Sequence, residues 1–187
     1  MSVEAERSRV AVGSLAEGAF LRRLSRNVDP RGALTEIYRA EWGSGAPALQ
    51  WNFVRSLGAV LRGVRVHFHH DDHLVVLDGS VAVGLRDLRP GSPTEGTVAL
   101  VELRGSDPAL LKTPAGVAHG LFFRTAGSCV IGITAFHDDA DENPFRWDDP
   151  ALGIPWPFSS PMLCDRDASA PGLDAVLPGV PRWRPAP

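Results

Sequence analysis

The chain has 187 residues and a formal net charge of -3, with 44% hydrophobic and 22% charged residues. That length suits one domain with tails and can bury a sizeable core, and the composition excludes wholesale disorder. The mildly acidic balance excludes a basic field for nucleic acid or an anionic membrane, no apolar run reaches membrane-spanning length, and the charged first ten residues do not read as a secretory signal.

Taken in chain order, the first candidate element is a helix over Ser14–Leu24. Next comes a stretch dense in imidazole and carboxylate, Arg65-Val-His67-Phe-His69-His70-Asp71-Asp72-His73. His73–Leu77 and Val81–Leu85 flank Asp78-Gly79-Ser80 and read as a hairpin. Thr97–Leu103 alternates apolar and other residues and reads as a strand, as do Leu121–Phe123 and Cys129–Thr134. The acidic run from Asp138 to Glu142 reads as a solvated loop, with His137 before it as a surface or replacement acid/base histidine. Leu173–Leu177 is the second candidate helix, and the proline-rich end from Pro178 reads as a surface-hugging or fraying tail. Cys129 and Cys164 are the two cysteines, which fits a reducing cytoplasm and makes no metal cluster. Short strands at this spacing, divided by 19 glycines and 16 prolines, predict an antiparallel sandwich or barrel rather than a parallel sheet.

The histidine-rich strand running toward Gly79 and the turn Pro114-Ala-Gly116-Val-Ala-His119 resemble the two sequence anchors of the cupins. That resemblance implies a mainly β jelly-roll barrel with a few short helices. Further blocks follow in order: Asp29-Pro-Arg31-Gly32 with Glu36, Gln50-Trp-Asn52, Val60-Leu-Arg62-Gly63, Asp87-Leu-Arg89-Pro, Trp147-Asp-Asp-Pro150, Gly153-Ile-Pro-Trp156 and Arg166-Asp167. With these blocks, from about Asp29 to about Asp167, the chain resembles the dTDP-4-dehydrorhamnose 3,5-epimerases. The reading divides the chain into an extension over 1–28 that can lend strands to a dimer, a barrel over 29–170 and a tail over 171–187.

The resemblance implies inversion of carbons beside a ketone on a dTDP-4-keto-6-deoxy sugar. Such a step needs a base for the carbon proton, donors for the enolate oxygen and an acid on the opposite face. The family uses a histidine, oriented by an aspartate, as base and a tyrosine as acid. Here the base position carries Arg65, which stays protonated at any working pH, and the acid position falls at Ile131. The family's active-site lysine falls near Asp72, and its aspartate is kept as Asp167, which is expected to pair with Arg65. The resemblance places Arg31, Glu36, Gln50, Asn52 and Arg62 in substrate binding, and has Arg31 and Glu36 reach into the partner's site in a homodimer.

These residues support a divergent isomerase on a keto sugar nucleotide. It would use His67 as base, Arg65 and Asp167 as orienting or enolate-stabilising charge, and His119 as donor. The alternative is a barrel repurposed as an isomerase or cyclase on a non-sugar natural-product intermediate. A metal-dependent cupin and a non-catalytic binding protein rank below both. No cofactor is expected. The less favoured metal reading places a divalent cation on His67, Asp72 and His119, or in a second register on His67, His69 and His73 with His119. The tryptophans Trp42, Trp51, Trp147, Trp156 and Trp183 are candidates for stacking on a sugar or base, with Trp147 and Trp156 read as packing residues.

Overall fold

A computed structural model describes residues 10–42 and 45–185. Residues 1–9 of the expected extension and 186–187 of the expected tail lie outside them. The strands, in chain order, are β1 (Val10–Gly13), β2 (Phe20–Arg23), β3 (Arg26–Asp29), β4 (Gly32–Thr35), β5 (Gln50–Ser56), β6 (Val60–Val66), β7 (Asp72–Asp78), β8 (Ser80–Asp87), β9 (Val98–Arg104), β10 (Ala109–Thr113), β11 (Val117–Phe123), β12 (Gly127–Ile133) and β13 (Asn143–Pro144). A single turn of α-helix, α1, spans Asp165–Ala168. Among the described residues, no helix is long and apolar enough to cross a membrane.

Two antiparallel sheets carry the fold. One runs β1-β9-β8-β11-β6-β13 and the other β2-β10-β7-β12-β5, with β3 and β4 paired as a separate hairpin. Their inner faces meet in a core that includes Leu74, Val76, Val83, Leu85, Val101, Leu111 and Phe123. The outer face of the first sheet is covered too, because Phe145, Leu152, Ile154, Leu173, Val176 and Val180 pack on Leu61, Ala82, Ala118 and Phe122. The outer face of the second packs Val75 and Leu110 against Leu24, Ile37, Tyr38 and Trp42. Apolar cover on both sides explains why β11 is buried at every position and shows no polar alternation. Trp147 and Trp156 pack on Phe158 within the first outer cluster, as their sequence context predicts.

Three expectations are corrected. Ser14–Leu24 is not a helix: Gly18 turns the chain at φ +77°, and β2 then pairs with β10 so that Leu21 enters the core. Leu173–Leu177 forms two short 3-10 turns, Leu173–Ala175 and Leu177–Gly179, since Pro178 cannot continue an α-helix. The segment around Asp78-Gly79-Ser80 is not a hairpin. β7 pairs with β10 and β12, whereas β8 pairs with β9 and β11 in the other sheet. The turn is therefore a corner between sheets. Gly79 makes it possible, with φ +80° and space so tight that a Cβ would stand 2.7 Å from the Ala126 carbonyl oxygen.

The segment before residue 29 also gives each sheet an edge strand within its own chain, β1 against β9 and β2 against β10. The C-terminal segment is held down by burial of Leu173, Val176 and Val180.

Candidate active site

Strand alternation decides which side chains enter the barrel. On β6 the alternation is interrupted at Val64, where the register with β11 shifts by one residue, so Leu61, Val64 and Val66 face the outer cluster while Arg62 and Arg65 face inward; His67 follows one residue past the strand. On β7, Asp72 shares the inner face with Leu74 and Val76, and His73 shares the outer face with Val75. On β11, Val117, His119 and Leu121 point in. At the start of β11, Gly116 has φ +77°, and its amide donates to the His67 carbonyl at 2.7 Å. The Pro-x-Gly-x-x-His turn thus ties His119 to the histidine strand. The result is a cavity of about 270 Å³ lined by Asn52, Arg62, Arg65, His67, His70, Asp72, His119, His137 and Glu142, with an apolar wall of Val54, Leu121, Ile131 and Ile133.

Inside it, His119 Nε2 lies 3.1 Å and His67 Nε2 3.8 Å from Asp72 Oδ2. His67 Nδ1 donates to the Asp141 carbonyl at 3.0 Å, and His119 Nδ1 to the Val117 carbonyl at 3.2 Å. A carbonyl only accepts, so each Nδ1 carries a proton, and Nε2 is the nitrogen turned toward Asp72. Burial pushes the His67 imidazole down to about 4, against the pull of Asp72 and with help from His119 and His70. Its Nε2 therefore holds a free lone pair at neutral pH. Burial alone would raise Asp72, but the imidazoles of His119 and His70 hold its carboxyl well below the usual range. His70 is also buried, which lowers its basicity, yet Asp72 and Asp141 outweigh that and raise it. Its ring stacks on His67 at 4.1 Å between centroids.

Arg65 points into the cavity and is held by Glu142. Asp167, expected as its partner, forms a second ion pair with it at 3.8 Å through Oδ1, and its Oδ2 accepts the Gly63 amide at 3.0 Å. Asp167 is buried behind the cavity wall, and its Oδ1 has no hydrogen-bond partner. Asn52 and Arg62 line the cavity. Gln50 sits just beyond, donating to Asn52 at 2.9 Å and accepting the His137 amide at 3.0 Å. Arg31 and Glu36 are not brought to this cavity: Arg31 pairs with Asp29 at 2.6 Å on the β3–β4 hairpin, and Glu36 pairs with Arg39 at 2.6 Å. The second metal register is excluded by the backbone, because His73 lies on the opposite face of β7, edge-on to Tyr38 at 5.2 Å.

The sequence reading missed three residues. Asp141 and Glu142, read as part of a solvated loop, have side chains only 5% and 12% exposed. Asp141 is a hub. It accepts the amides of Phe68 at 2.6 Å and His69 at 3.2 Å, and His70 Nδ1 at 2.8 Å. His70, buried between Asp141 and Asp72, is the third. The available signal was compositional: a cation-capable run at 65–73 and an acidic run at 138–142 in one barrel invite pairing. Cys129 is buried in the core, which pushes its thiol up to about 12 and leaves it inert.

Comparison with known proteins points the same way. The family model described as dTDP-4-dehydrorhamnose 3,5-epimerase matches residues 15–175. The chain is 32% identical over 157 residues to a dTDP-4-dehydrorhamnose 3,5-epimerase of Sinorhizobium fredii, covering 78% of this chain and 80% of that one. It is 29% identical to the spore coat polysaccharide biosynthesis protein SpsL of Bacillus subtilis, covering 76% and 97%. Among solved structures, the Mycobacterium tuberculosis rmlC epimerase superposes with a TM-score of 0.83 at 27% identity, covering 92% and 94%. A 3'-monoepimerase from Streptomyces bikiniensis in complex with dTDP-quinovose gives 0.82 at 28% identity, covering 90% and 91%. The two-sheet barrel, the cavity at its mouth and these matches agree: the chain belongs to the dTDP-4-dehydrorhamnose 3,5-epimerase family.

Proposed function

We propose that this chain is an isomerase of keto sugars carried on thymidine diphosphate, and that its acid and base groups are rearranged relative to the family pattern. The observation that carries the reading is His67: a buried, neutral imidazole with its Nδ1 proton fixed by a backbone carbonyl and its Nε2 lone pair inside the cavity. A group so arranged can take the carbon proton beside a ketone. His119 is the donor to the enolate oxygen, a role that requires a proton on Nε2, beside the Asp72 carboxylate at 3.1 Å, in addition to the Nδ1 proton given to Val117. Arg65 supplies positive charge to the same oxygen, moderated by Glu142. Asp167 acts as a positioning residue through the Gly63 amide and Arg65. Arg62, Asn52 and Gln50 hold the nucleotide and sugar, as the matching family positions imply.

Related structures support the ligand class, since one is a complex with dTDP-quinovose and another with dTDP-4-keto-L-rhamnose, each at 28% identity. The reading includes a homodimer in which Arg31 and Glu36 serve the partner's cavity. The exposed β3–β4 hairpin and the exposed Trp51 and Phe53 on edge strand β5 give such a partner a surface. A second reading, a non-sugar intermediate, is favoured by the apolar wall of Leu121, Ile131 and Ile133.

Thermal shift with dTDP and with UDP separates the two. A ligand that binds only the folded state raises the melting temperature with its concentration. The sugar-nucleotide reading expects a dose-dependent rise with dTDP that exceeds the rise with UDP. A melting temperature unmoved by dTDP at millimolar concentration rejects it in favour of the non-sugar reading.

A further inference from the structure

The imidazoles and carboxylates that line the cavity form one connected cluster. Asp72 Oδ2 is 3.1 Å from His119 Nε2 and 3.8 Å from His67 Nε2, and His70 stacks on His67 at 4.1 Å between centroids. Glu142 Oε1 lies 3.7 Å from His67 Nδ1 and 3.9 Å from His137 Nδ1. His67 and His119 belong to the first sheet, just past β6 and on β11. Across the interior, β5 and β12 of the second sheet present Val54, Ile131 and Ile133, and Leu121 of β11 extends that surface. We infer that the chain moves a carbonyl group between adjacent carbons of its keto sugar, by proton transfer on a single face of the ring, and does not invert a carbon. The inference rests on the keto-sugar reading above and names the reaction within it.

Inversion requires a proton to leave on one face of the sugar and another to arrive on the opposite face, from a second acid. Among the described residues, the wall facing His67 and His119 is made of four aliphatic side chains, which neither give nor accept a proton. Asn52, also on β5, carries an amide, which is no acid at neutral pH. Arg62, Arg65 and Arg166 stay protonated throughout. His137 is the group to weigh against this account. One carboxylate oxygen of Glu142 reaches the Nδ1 of both His137 and His67, and the His137 Nε2 faces Asp139 at 3.2 Å. His137 therefore flanks the base at the solvent mouth of the cavity, where its side chain is 46% exposed.

Two histidines on one side suit carbonyl migration, because that reaction moves two protons between neighbouring atoms. His67 Nε2 takes the hydrogen from C3; the C3–H electron pair becomes the C3–C4 double bond, and the carbonyl pair moves to O4. His119 Nε2 gives its proton to O4, which leaves a neutral enediol. His119 then takes the proton from O3 as the new C3 carbonyl forms, and the double-bond pair takes the His67 proton onto C4 from the face that C3 lost its own. Both histidines end as they began, and no oxidant or reductant is consumed. The ring centroids of His67 and His119 are 5.2 Å apart, a spacing that lets one serve the carbons and the other the adjacent oxygens. His67 is only 5% exposed, which restrains loss of its proton to water between the two steps.

The test incubates the full chain with dTDP-4-keto-6-deoxyglucose in D2O and follows the sugar by proton and carbon NMR. The expected product has its ketone at C3 and a new hydrogen or deuterium at C4, on the face from which C3 lost its own. His119→Gln, with its fold verified by melting temperature, is expected to lower carbonyl migration by about a hundredfold and to lower exchange at C3 less. A ketone still at C4 with C3 or C5 inverted overturns the inference and leaves the isomerase reading standing. Exchange at C3 with neither migration nor inversion overturns it as well, as does a ratio of migration to exchange that is unchanged in His119→Gln. If dTDP raises the melting temperature but no carbon hydrogen exchanges, the isomerase reading itself fails and this inference with it.

Discussion

His119 on β11 and Asp72 on β7 join the two sheets across the barrel interior through a contact of 3.1 Å. Each sheet contributes one partner, so the contact is both a cross-brace and the centre of the cavity. Ion pairs of this kind are costly to bury, and removing one partner strands the other.

A double-mutant cycle on Asp72→Ala and His119→Ala should therefore show coupling. Urea unfolding at neutral pH is expected to give a coupling energy of about 2 kcal/mol, within the range for contacting residues. Strict additivity would mean that the two side chains do not sense each other.

The Asp141 hub predicts a local effect. Its carboxylate holds the amides of Phe68 and His69 and the ring of His70. Asp141→Ala should cost about 2 kcal/mol or more, because charged hydrogen bonds to two backbone amides and to the buried His70 ring are lost. Amide exchange at Phe68 and His69 should accelerate more than exchange in β8 or β9. Uniform acceleration across the barrel would contradict the hub and point to general loosening.

Much of the fold was legible from sequence, and the errors share one cause. Thr97–Leu103 and Cys129–Thr134 read correctly as strands because their side-chain pattern is local. The turn from Pro114 to His119 read correctly because proline and glycine set it locally. The pairing of His73–Leu77 with Val81–Leu85 failed because alternation identifies a strand and not its neighbour; each found partners far along the chain. Ser14–Leu24 failed because a short apolar run fits either period. In the site, His67, Asp72 and His119 were legible from the resemblance to the cupin pattern. Asp141 and Glu142 were not, because a charged run at a turn looks solvated until Phe68, His69 and Arg65 arrive from some seventy residues upstream.

Asp87 makes an acid-sensitive brace away from the cavity. It is buried, which would raise its carboxyl, but Arg89, Ser92 and Thr94 donate to it and hold it below the ordinary value. A carboxyl lowered in the folded state adds stability above its unfolded value of about 4, and that stability is lost as pH falls through the folded value. Asp87→Asn should therefore lower the melting temperature at pH 7, and the gap to wild type should close as pH drops below about 4. A gap independent of pH would show that the charge contributes nothing.

The proposed sharing of Arg31 between subunits predicts complementation. Arg31→Ala and His67→Ala should each be inactive alone. Mixed and reassembled, random pairing leaves one intact site in half of the dimers, or about a quarter of wild-type activity. No recovery in verified mixed dimers would place Arg31 in its own subunit's site or in none.

The most direct measurement of the central claim is solvent deuterium incorporation into dTDP-4-keto-6-deoxyglucose, followed by mass spectrometry in D2O. The wild-type protein is expected to incorporate deuterium at a carbon beside the ketone, and His67→Gln, folded and still binding dTDP, to lose that exchange by at least about a hundredfold. Exchange that persists undiminished in His67→Gln would contradict the assignment of His67 as the base.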